Sequence, residues 1–390
     1  MTSTEIWLQE WHESDEQVTV SAAIEQTGEP RRQLWYRVPI KWKSALTGRA
    51  DPFIAGVLFD AMHVGGKLIV HGDVSPSLLH NIDEFQRAWN KWRPELYQLT
   101  EIVPDQISEA PEPETSAAVM TFSGGVDSCF TAWRHHAKLA GPQQCDLRAG
   151  IIVHGFDIPL NTPADYDRAA ENVRRMLATI GMEHIPMATN FRELKGHWED
   201  VHGAAVASCL MLTQAGFCRG LIASSYAYSY LAFPIGSNPL TDGMFSSKTF
   251  PVIHDGAGFA RLEKTRAVAQ WPALPKYLRV CWKGPDYDRN CGRCQKCVST
   301  ALHFRLAGLP EMECFGPGVT NRELFWMSYP TVAEIKSMLR TIRMAKDLNV
   351  TDSWVGALKR SVMLNRLRMI TPKPLRALCH ILRGGRRKPG

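Results

Sequence analysis

Short apolar runs separated by turn residues occupy the first hundred positions of the chain. Residues 17–24 (QVTVSAAI) and 33–40 (QLWYRVPI) have the β-branched and aromatic content of strands, and Gln26-Thr27-Gly28-Glu29-Pro30 between them predicts a hairpin. Asp51-Pro52 supplies a cap and a first-turn proline for a helix that runs to about Met62. A short strand is expected at 67–71, and Ser75-Pro76 opens a second helix. On that helix Leu78, Ile82, Phe85, Trp89 and Trp92 recur every three or four residues, so they share one face and read as core. Residues 1–103 are expected to form an α+β domain. They carry no catalytic constellation, which leaves recognition of a substrate or protein partner as the domain's expected use.

Residues 104–116 (PDQISEAPEPETS) break the pattern, because proline and acid are abundant and no apolar period survives; a linker is expected. Beyond it, strand-like 117–122, 147–153, 184–188 and 220–224 are interleaved with helix-like stretches that include 164–180 and 198–215. That alternation predicts an α/β domain with a doubly wound parallel sheet over 117–330, followed by helices and a basic arm over 331–390. Such sheets bind ligands beyond the carboxyl ends of their strands, where strand order reverses. The residues that follow each strand are the ones to search for chemistry.

At 390 residues and 45% hydrophobic content, the chain can bury two or three cores, which excludes a largely disordered protein. The N-terminus has no basic stretch leading into an apolar core, and no apolar run approaches the ~18–20 residues of a membrane span. A cytoplasmic protein without a transmembrane segment is expected. In that reducing compartment the ten cysteines read as thiols or metal ligands rather than disulfides. The net charge of +6 is unevenly placed: residues 353–390 hold ten lysines and arginines and no acid, which leaves the remainder at −4. The helix expected over 354–370 mixes Leu, Met and Val with arginine. An anionic surface, an acidic partner, RNA, and a packed helix followed by a tail all fit that pattern.

The densest chemistry follows the first strand of the expected sheet. Ser123-Gly124-Gly125-Val126-Asp127-Ser128 places two glycines where backbone can approach a ligand, then opens a helix whose N–H groups suit a phosphate. Ser123 and Ser128 add hydroxyl donors, and Asp127 can cap the helix or hold a magnesium ion between phosphates. A plain strand-to-helix turn would explain an isolated glycine pair, but here five of six positions are glycine, hydroxyl or carboxylate. No Gly-Lys-Ser/Thr follows, so this is not a Walker loop. The stretch resembles the SGGxDS signature of the PP-loop ATP pyrophosphatases, which cleave ATP between its α and β phosphates and leave a substrate adenylated. The resemblance implies a PP-loop/HUP-like sheet, ATP held by residues 123–128, and Mg2+ beside Asp127.

Other strand ends add candidates. Gly155, Phe156 and Asp157 can shape an adenine and ribose pocket, as that segment commonly does in PP-loop enzymes. Asp157 can equally cap a turn, and the neighbouring His154 is a lone candidate base. Ser224 and Ser225 follow the fourth strand as further nucleotide contacts. The polar stretch 232–258, with Gly236-Ser237-Asn238, Asp242, Ser246, Ser247 and Lys248, reads as a long substrate loop. After it, Arg261, Lys264 and Arg266 can neutralise a pyrophosphate leaving group, with Lys264 the catalytic candidate; a solvated basic helix start is the competing reading.

Cys281, Cys291, Cys294 and Cys297 form C-x9-C-G-R-C-x2-C, a spacing that closes a tetrahedral Zn2+ site, with Gly292 allowing the tight turn. An iron–sulfur cluster and a sulfur-relay pair are the alternatives. The other cysteines, Cys129, Cys145, Cys209, Cys218, Cys314 and Cys379, read as packing. Together, the SGGVDS loop, the Asp157 loop, the paired serines and the late cysteine cluster resemble the QueC-type 7-cyano-7-deazaguanine synthases over about residues 117–306. Those enzymes activate the carboxylate of 7-carboxy-7-deazaguanine with ATP, form the amide with ammonia, and dehydrate it to the nitrile. The resemblance implies a ligase with a small-molecule carboxylate substrate. Where that family has a tyrosine-proline-aspartate-cysteine-arginine run, this chain has Ser225-Tyr226-Ala227-Tyr228-Ser229, and it adds about a hundred residues in front. QueC-like proteins of bacterial anti-phage systems join a deazaguanine to a protein, and an added recognition domain suits such a partner. tRNA sulfur transfer and a non-catalytic assembly role are the alternatives.

Overall fold

The expected hairpin is the centre of the N-terminal part of a larger sheet. In the computed structural model, which describes residues 2–370, β3 (Gln17–Gln26) and β4 (Arg32–Pro39) pair antiparallel from Gln17 opposite Pro39 to Ile24 opposite Arg32. Two strands not anticipated from the sequence join it: β1 (Ser3–Leu8) lies antiparallel to β3, and the short β2 (His12–Glu13) pairs with β3. β5 (Gly66–Val74) runs parallel to β1, and β6 (Thr100–Ile107) runs parallel to β5. Helix α1 (Asp51–Val64) starts one residue earlier than a cap at Asp51 requires: Ala50 is the N-cap. Asp51 is instead buried, accepting hydrogen bonds from the Ser75 amide at 2.8 Å and from Arg49 Nε at 3.0 Å. Helix α2 (Pro76–Trp92) buries Leu78, Ile82, Phe85 and Trp89 completely, as its stripe predicts.

The doubly wound half follows. β7 (Ala117–Thr121), α3 (Val126–His136), β8 (Asp146–His154), α4 (Pro163–Ala178), β9 (Glu183–Thr189), α5 (Trp198–Met211), β10 (Arg219–Ala223) and β11 (Val252–Asp255) alternate along the chain. The five strands are parallel and lie in the order β11-β10-β7-β8-β9. The remaining helices of this unit are α6 (Arg261–Val268) and α7 (Leu274–Tyr277).

The two halves are not separated by the proline-rich stretch. Strand β6 continues through Pro104 to Ile107, and β4 pairs antiparallel with β9 through Tyr36–Thr189 and Arg37–Ala188. The result is one mixed, mostly parallel sheet of eleven strands, and the compact units divide at 289/290 rather than in 104–116 or at 330. One hydrophobic core runs through both halves of the first unit. Leu34, Tyr36, Phe53 and Val57 belong to the same cluster as Met187, Ala204, Ala207 and Leu210. Tyr36 marks the join, with its ring 5.7 Å edge-on to Phe53 and its hydroxyl bonded to Ser208, which donates to the Pro52 carbonyl oxygen at 2.6 Å.

The second unit, Asn290–Gly390, is helical where described: α8 (Gln295–Leu306), α9 (Asn321–Trp326), α10 (Val332–Asp347) and α11 (Ser353–Ile370). Capping boxes of Thr320 with Glu323 and Thr331 with Glu334 start α9 and α10. Helix α11 buries Trp354, Val355, Leu358 and Val362, and Asn365 Nδ2 donates to Met327 O at 2.8 Å. One face of the helix is therefore packed, while Met363, Leu367 and Met369 are exposed; Lys373, Arg376, Arg383, Arg386, Arg387 and Lys388 lie outside the described residues. Among the described residues no helix is long and apolar enough to cross a membrane.

Replacing Tyr36 with Ala tests the shared core. The side chain is 1% exposed, so its loss is expected to cost about 3–5 kcal/mol in urea unfolding followed by circular dichroism. A cost below about 1 kcal/mol would show that the two halves do not depend on one another.

Candidate functional site

Strand order decides where a ligand can sit. From β7 the chain moves to β8 and β9 on one side, then returns to β10 and β11 on the other, which puts the reversal of strand order, the usual ligand position in open α/β sheets, beyond the carboxyl end of β7. The loop of residues 123–128 is at that place. Gly124 has φ +75°, in the left-handed region, and an added Cβ would find only ordinary contacts; its dihedral, not lack of space, demands glycine. Gly125 is the N-cap of α3, and no side chain caps that helix. Ser123 Oγ accepts from the Gly125 amide at 3.3 Å, and Ser128 Oγ donates to the Gly125 carbonyl oxygen at 3.0 Å. The helix thus begins with amides that no side chain occupies, beside a loop braced by its own serines.

Asp127 does not cap the helix. Its carboxylate is held by two cations from α6: Arg261 Nη1 donates to Oδ2 at 2.9 Å and Lys264 Nζ to Oδ1 at 3.3 Å. Lys264 is only 2% exposed, and its amine also donates to the carbonyl oxygen of Ser224 at the end of β10. Burial lowers the Lys264 pKa, while the Asp127 charge and hydrogen bond act in the opposite direction. Of the three expected cations, Arg261 and Lys264 therefore converge on the loop, and Arg266 is exposed. The basic-helix reading holds for Arg266 alone.

Arg279 also lies at the loop, and no sequence pattern singled it out. Its amide donates to Gly124 O at 2.9 Å, Nη2 to Ser123 O at 3.3 Å and Nη1 to Tyr287 O at 3.1 Å. The only sequence hint is its place two residues before Cys281, which belongs to a different motif.

The other expected contacts divide. Gly155 has φ +104°, and a Cβ there would lie 1.9 Å from the Thr189 carbonyl oxygen, so this glycine permits the end of β8 to approach β9. Phe156 packs against Phe191 and Trp198, at 6.2 and 5.2 Å between ring centroids, and Asp157 is exposed. The His154 ring stacks on Tyr166, and Nε2 lies 2.9 Å from the Pro159 carbonyl oxygen, which gives the lone candidate base a structural partner. Ser224 Oγ donates to Tyr226 O at 2.7 Å, whereas Ser225 is exposed.

Stretch 232–258 differs from the unstructured substrate loop expected. It supplies β11 and buries Asn238, Thr241 and Asp242, whose carboxylate accepts from Ser237 Oγ at 2.7 Å and contacts His254 Nδ1 at 2.7 Å. Ser237, Asn238, Thr241 and Asp242 hydrogen-bond to one another, which is why a hydrophilic sequence can fold inward here.

The four cysteine sulfurs of Cys281, Cys291, Cys294 and Cys297 all lie within 4.8 Å of one another. The amides of Cys294 and Cys297 donate to Cys291 Sγ at 3.3 Å and Cys294 Sγ at 3.5 Å, an arrangement that stabilises thiolates. Gly292 has φ +68°, and a Cβ there would come within 2.6 Å of Phe315 O. This donor set fits Zn2+ with four protein ligands and no open position, hence a structural role.

No protein-family model, curated protein or solved structure matches this chain.

Two outcomes are expected. Protein purified without chelator should carry about one zinc per chain by elemental analysis, and Cys294→Ser should lose the metal and melt at lower temperature. For Lys264, the folded pKa lies below the ordinary 10.5. Between the two values the unfolded chain holds a proton that the folded chain has lost, so stability rises with pH through that window. The unfolding free energy of the wild type relative to Lys264→Met should therefore increase as pH is raised toward 10.5. A difference independent of pH would contradict the burial of this charge.

Proposed function

We propose that the chain is an ATP-dependent adenylating enzyme of the PP-loop type, with a HUP-like nucleotide-binding half. The observation that carries this reading is the convergence of loop 123–128, Arg261 and Lys264 at the reversal of strand order. The first-turn amides of α3 and the Ser123 and Ser128 hydroxyls would hold the phosphates. Gly155 to Asp157, at the neighbouring strand end, would flank the nucleoside. Lys264 and Arg261 would neutralise the pyrophosphate as it leaves, released from Asp127 in exchange for phosphate oxygens. Mg2+, held by Asp127 and the phosphates, would supply further neutralisation of the triphosphate.

The reaction follows from these roles. A substrate carboxylate oxygen attacks the α-phosphorus, the bond to the β-phosphate oxygen breaks, and pyrophosphate leaves. Ammonia or an amine then attacks the acyl carbon of the adenylate; the bond to AMP breaks, one proton is lost to solvent, and an amide forms. The QueC-type resemblance points to a deazaguanine carboxylate as the acid. An amine acceptor on a protein would suit the first hundred residues and an anti-phage setting.

Sulfur transfer to tRNA would use the same adenylation but needs a reactive thiolate outside the metal cluster. Burial pushes the Cys145 thiol up to about 11 and Cys314 to about 12, and Cys129 and Cys209 are fully buried. Cys218 is half-buried but directly precedes β10, at the end of that strand away from loop 123–128, so among the described residues no thiol suits the relay and the ligase reading is favoured.

The test is incubation with α-labelled ATP and magnesium, alone and then with 7-carboxy-7-deazaguanine, ammonium or a candidate protein acceptor. AMP and pyrophosphate are expected, at a rate raised by the acid, and Asp127→Asn should lower it by about 100-fold or more with unchanged circular dichroism. Production of ADP, or wild-type rates in that variant, would sink the assignment.

A further inference from the structure

A cavity of about 450 Å3 opens where β4 runs beside β9, with the start of α4 as its other wall. None of residues 123–128, Ser224, Ser225, Arg261 or Lys264 lines it, so it is a different place from the reversal of strand order beyond β7. Its volume falls in the range of small-molecule sites, about 300–1,000 Å3.

Three aromatic side chains are among its lining. The His154 and Tyr166 rings stack 4.4 Å apart, nearly parallel at 8°. The Tyr166 hydroxyl donates to the Ile152 carbonyl oxygen at 3.2 Å, so this side chain offers its ring rather than its hydroxyl. Trp35 lies on the facing strand, and its backbone amide is anchored to Asn190 Oδ1 at 3.0 Å. Burial keeps His154 neutral by lowering its pKa, and Nε2–H donates to Pro159 O, which leaves Nδ1 as the ring's acceptor.

The rim carries two charges of opposite sign. Arg37, on β4, stands 5.1 Å from the Trp35 ring, and Asp167 comes from α4. Both line the same cavity as His154. Neither has a hydrogen bond or an ion pair among the described residues, not even with the other. Two exposed charges of opposite sign at the mouth of an aromatic cavity are complementary to one ligand bearing both.

We propose that this cavity binds a small aromatic zwitterion, of the class of a free aromatic amino acid. The ring lies against Trp35, His154 and Tyr166, the carboxylate meets the Arg37 guanidinium, and the ammonium meets Asp167. The first hundred residues supply Trp35 and Arg37, so they create this site rather than merely flank the parallel sheet. The proposal uses no step of the adenylation chemistry and stands or falls separately from it.

The experiment is titration calorimetry of the full chain with L-tryptophan, L-tryptophan amide, N-acetyl-L-tryptophan and L-leucine. L-Tryptophan is expected to bind at least about ten-fold more tightly than each of the other three, a difference of about 1.4 kcal/mol. Arg37→Gln should abolish the preference over the amide, and Asp167→Asn the preference over the N-acetyl compound. Both residues are exposed, so the thermal transition should be unchanged in either variant. Absence of L-tryptophan binding at millimolar concentration overturns the proposal, as does survival of either preference in its matched variant.

Discussion

Parallel strands need a crossover between them, and β7 is the strand from which the crossovers depart in opposite senses. That constraint brings together segments far apart in sequence. The helix after β7 presents its first turn, the end of β10 presents the Ser224 carbonyl oxygen, and α6 sends Arg261 and Lys264 across to Asp127. Arg279 arrives from a still later stretch and ties down the backbone of Ser123 and Gly124. A glycine in the left-handed region lets the chain turn there at all.

Holding a lysine amine at 2% exposure is unfavourable by itself. Here a carboxylate and a backbone carbonyl oxygen share its donors, and the Phe130 ring lies 5.7 Å away. Removing such a group from water is tolerated where its partners are fixed in advance. Asp127 remains about a quarter exposed, which keeps the pair open to competition from a bound ligand. A second buried network, Thr131 and Arg134 on Asp255, bonds at 2.8 and 2.6 Å and fixes α3 against the end of β11. The helix that starts at the loop is thus anchored along its length.

Much of this was legible in the sequence because it rests on local rules. The hairpin turn at 26–30, the stripe on α2, the strand-glycine-helix passage at 117–133 and the cysteine spacing each express a preference that needs no distant partner. What escaped depends on tertiary pairing. Strand β1 has no clear alternation, yet it sits between β3 and β5. The polarity of 232–258 suggested a solvated loop, but Asp242, Ser237, Asn238 and His254 consume one another's hydrogen bonds. Pro104 looked like the start of a linker and instead lies within a strand, where proline is admissible at a sheet edge. Arg279 carried no local signature because its role is set by the backbone it touches.

The edges of the sheet have a consequence for how the protein behaves among copies of itself. A sheet stops where a strand offers unpaired amides and carbonyls, and long regular edges recruit further strands. With β4 in place, the outer edges are β11, only four residues long, and β6, which is interrupted by Pro104 and carries Glu101 and Asp105. Both are poor templates. Without the first hundred residues the edge would be β9, which meets β4 only through Ala188 and Thr189 and carries Glu183 and Pro186 of its own. Each strand that can stand at an edge is thus blunted by its own proline, charge or brevity, so recruitment of further strands is opposed with or without the N-terminal strands.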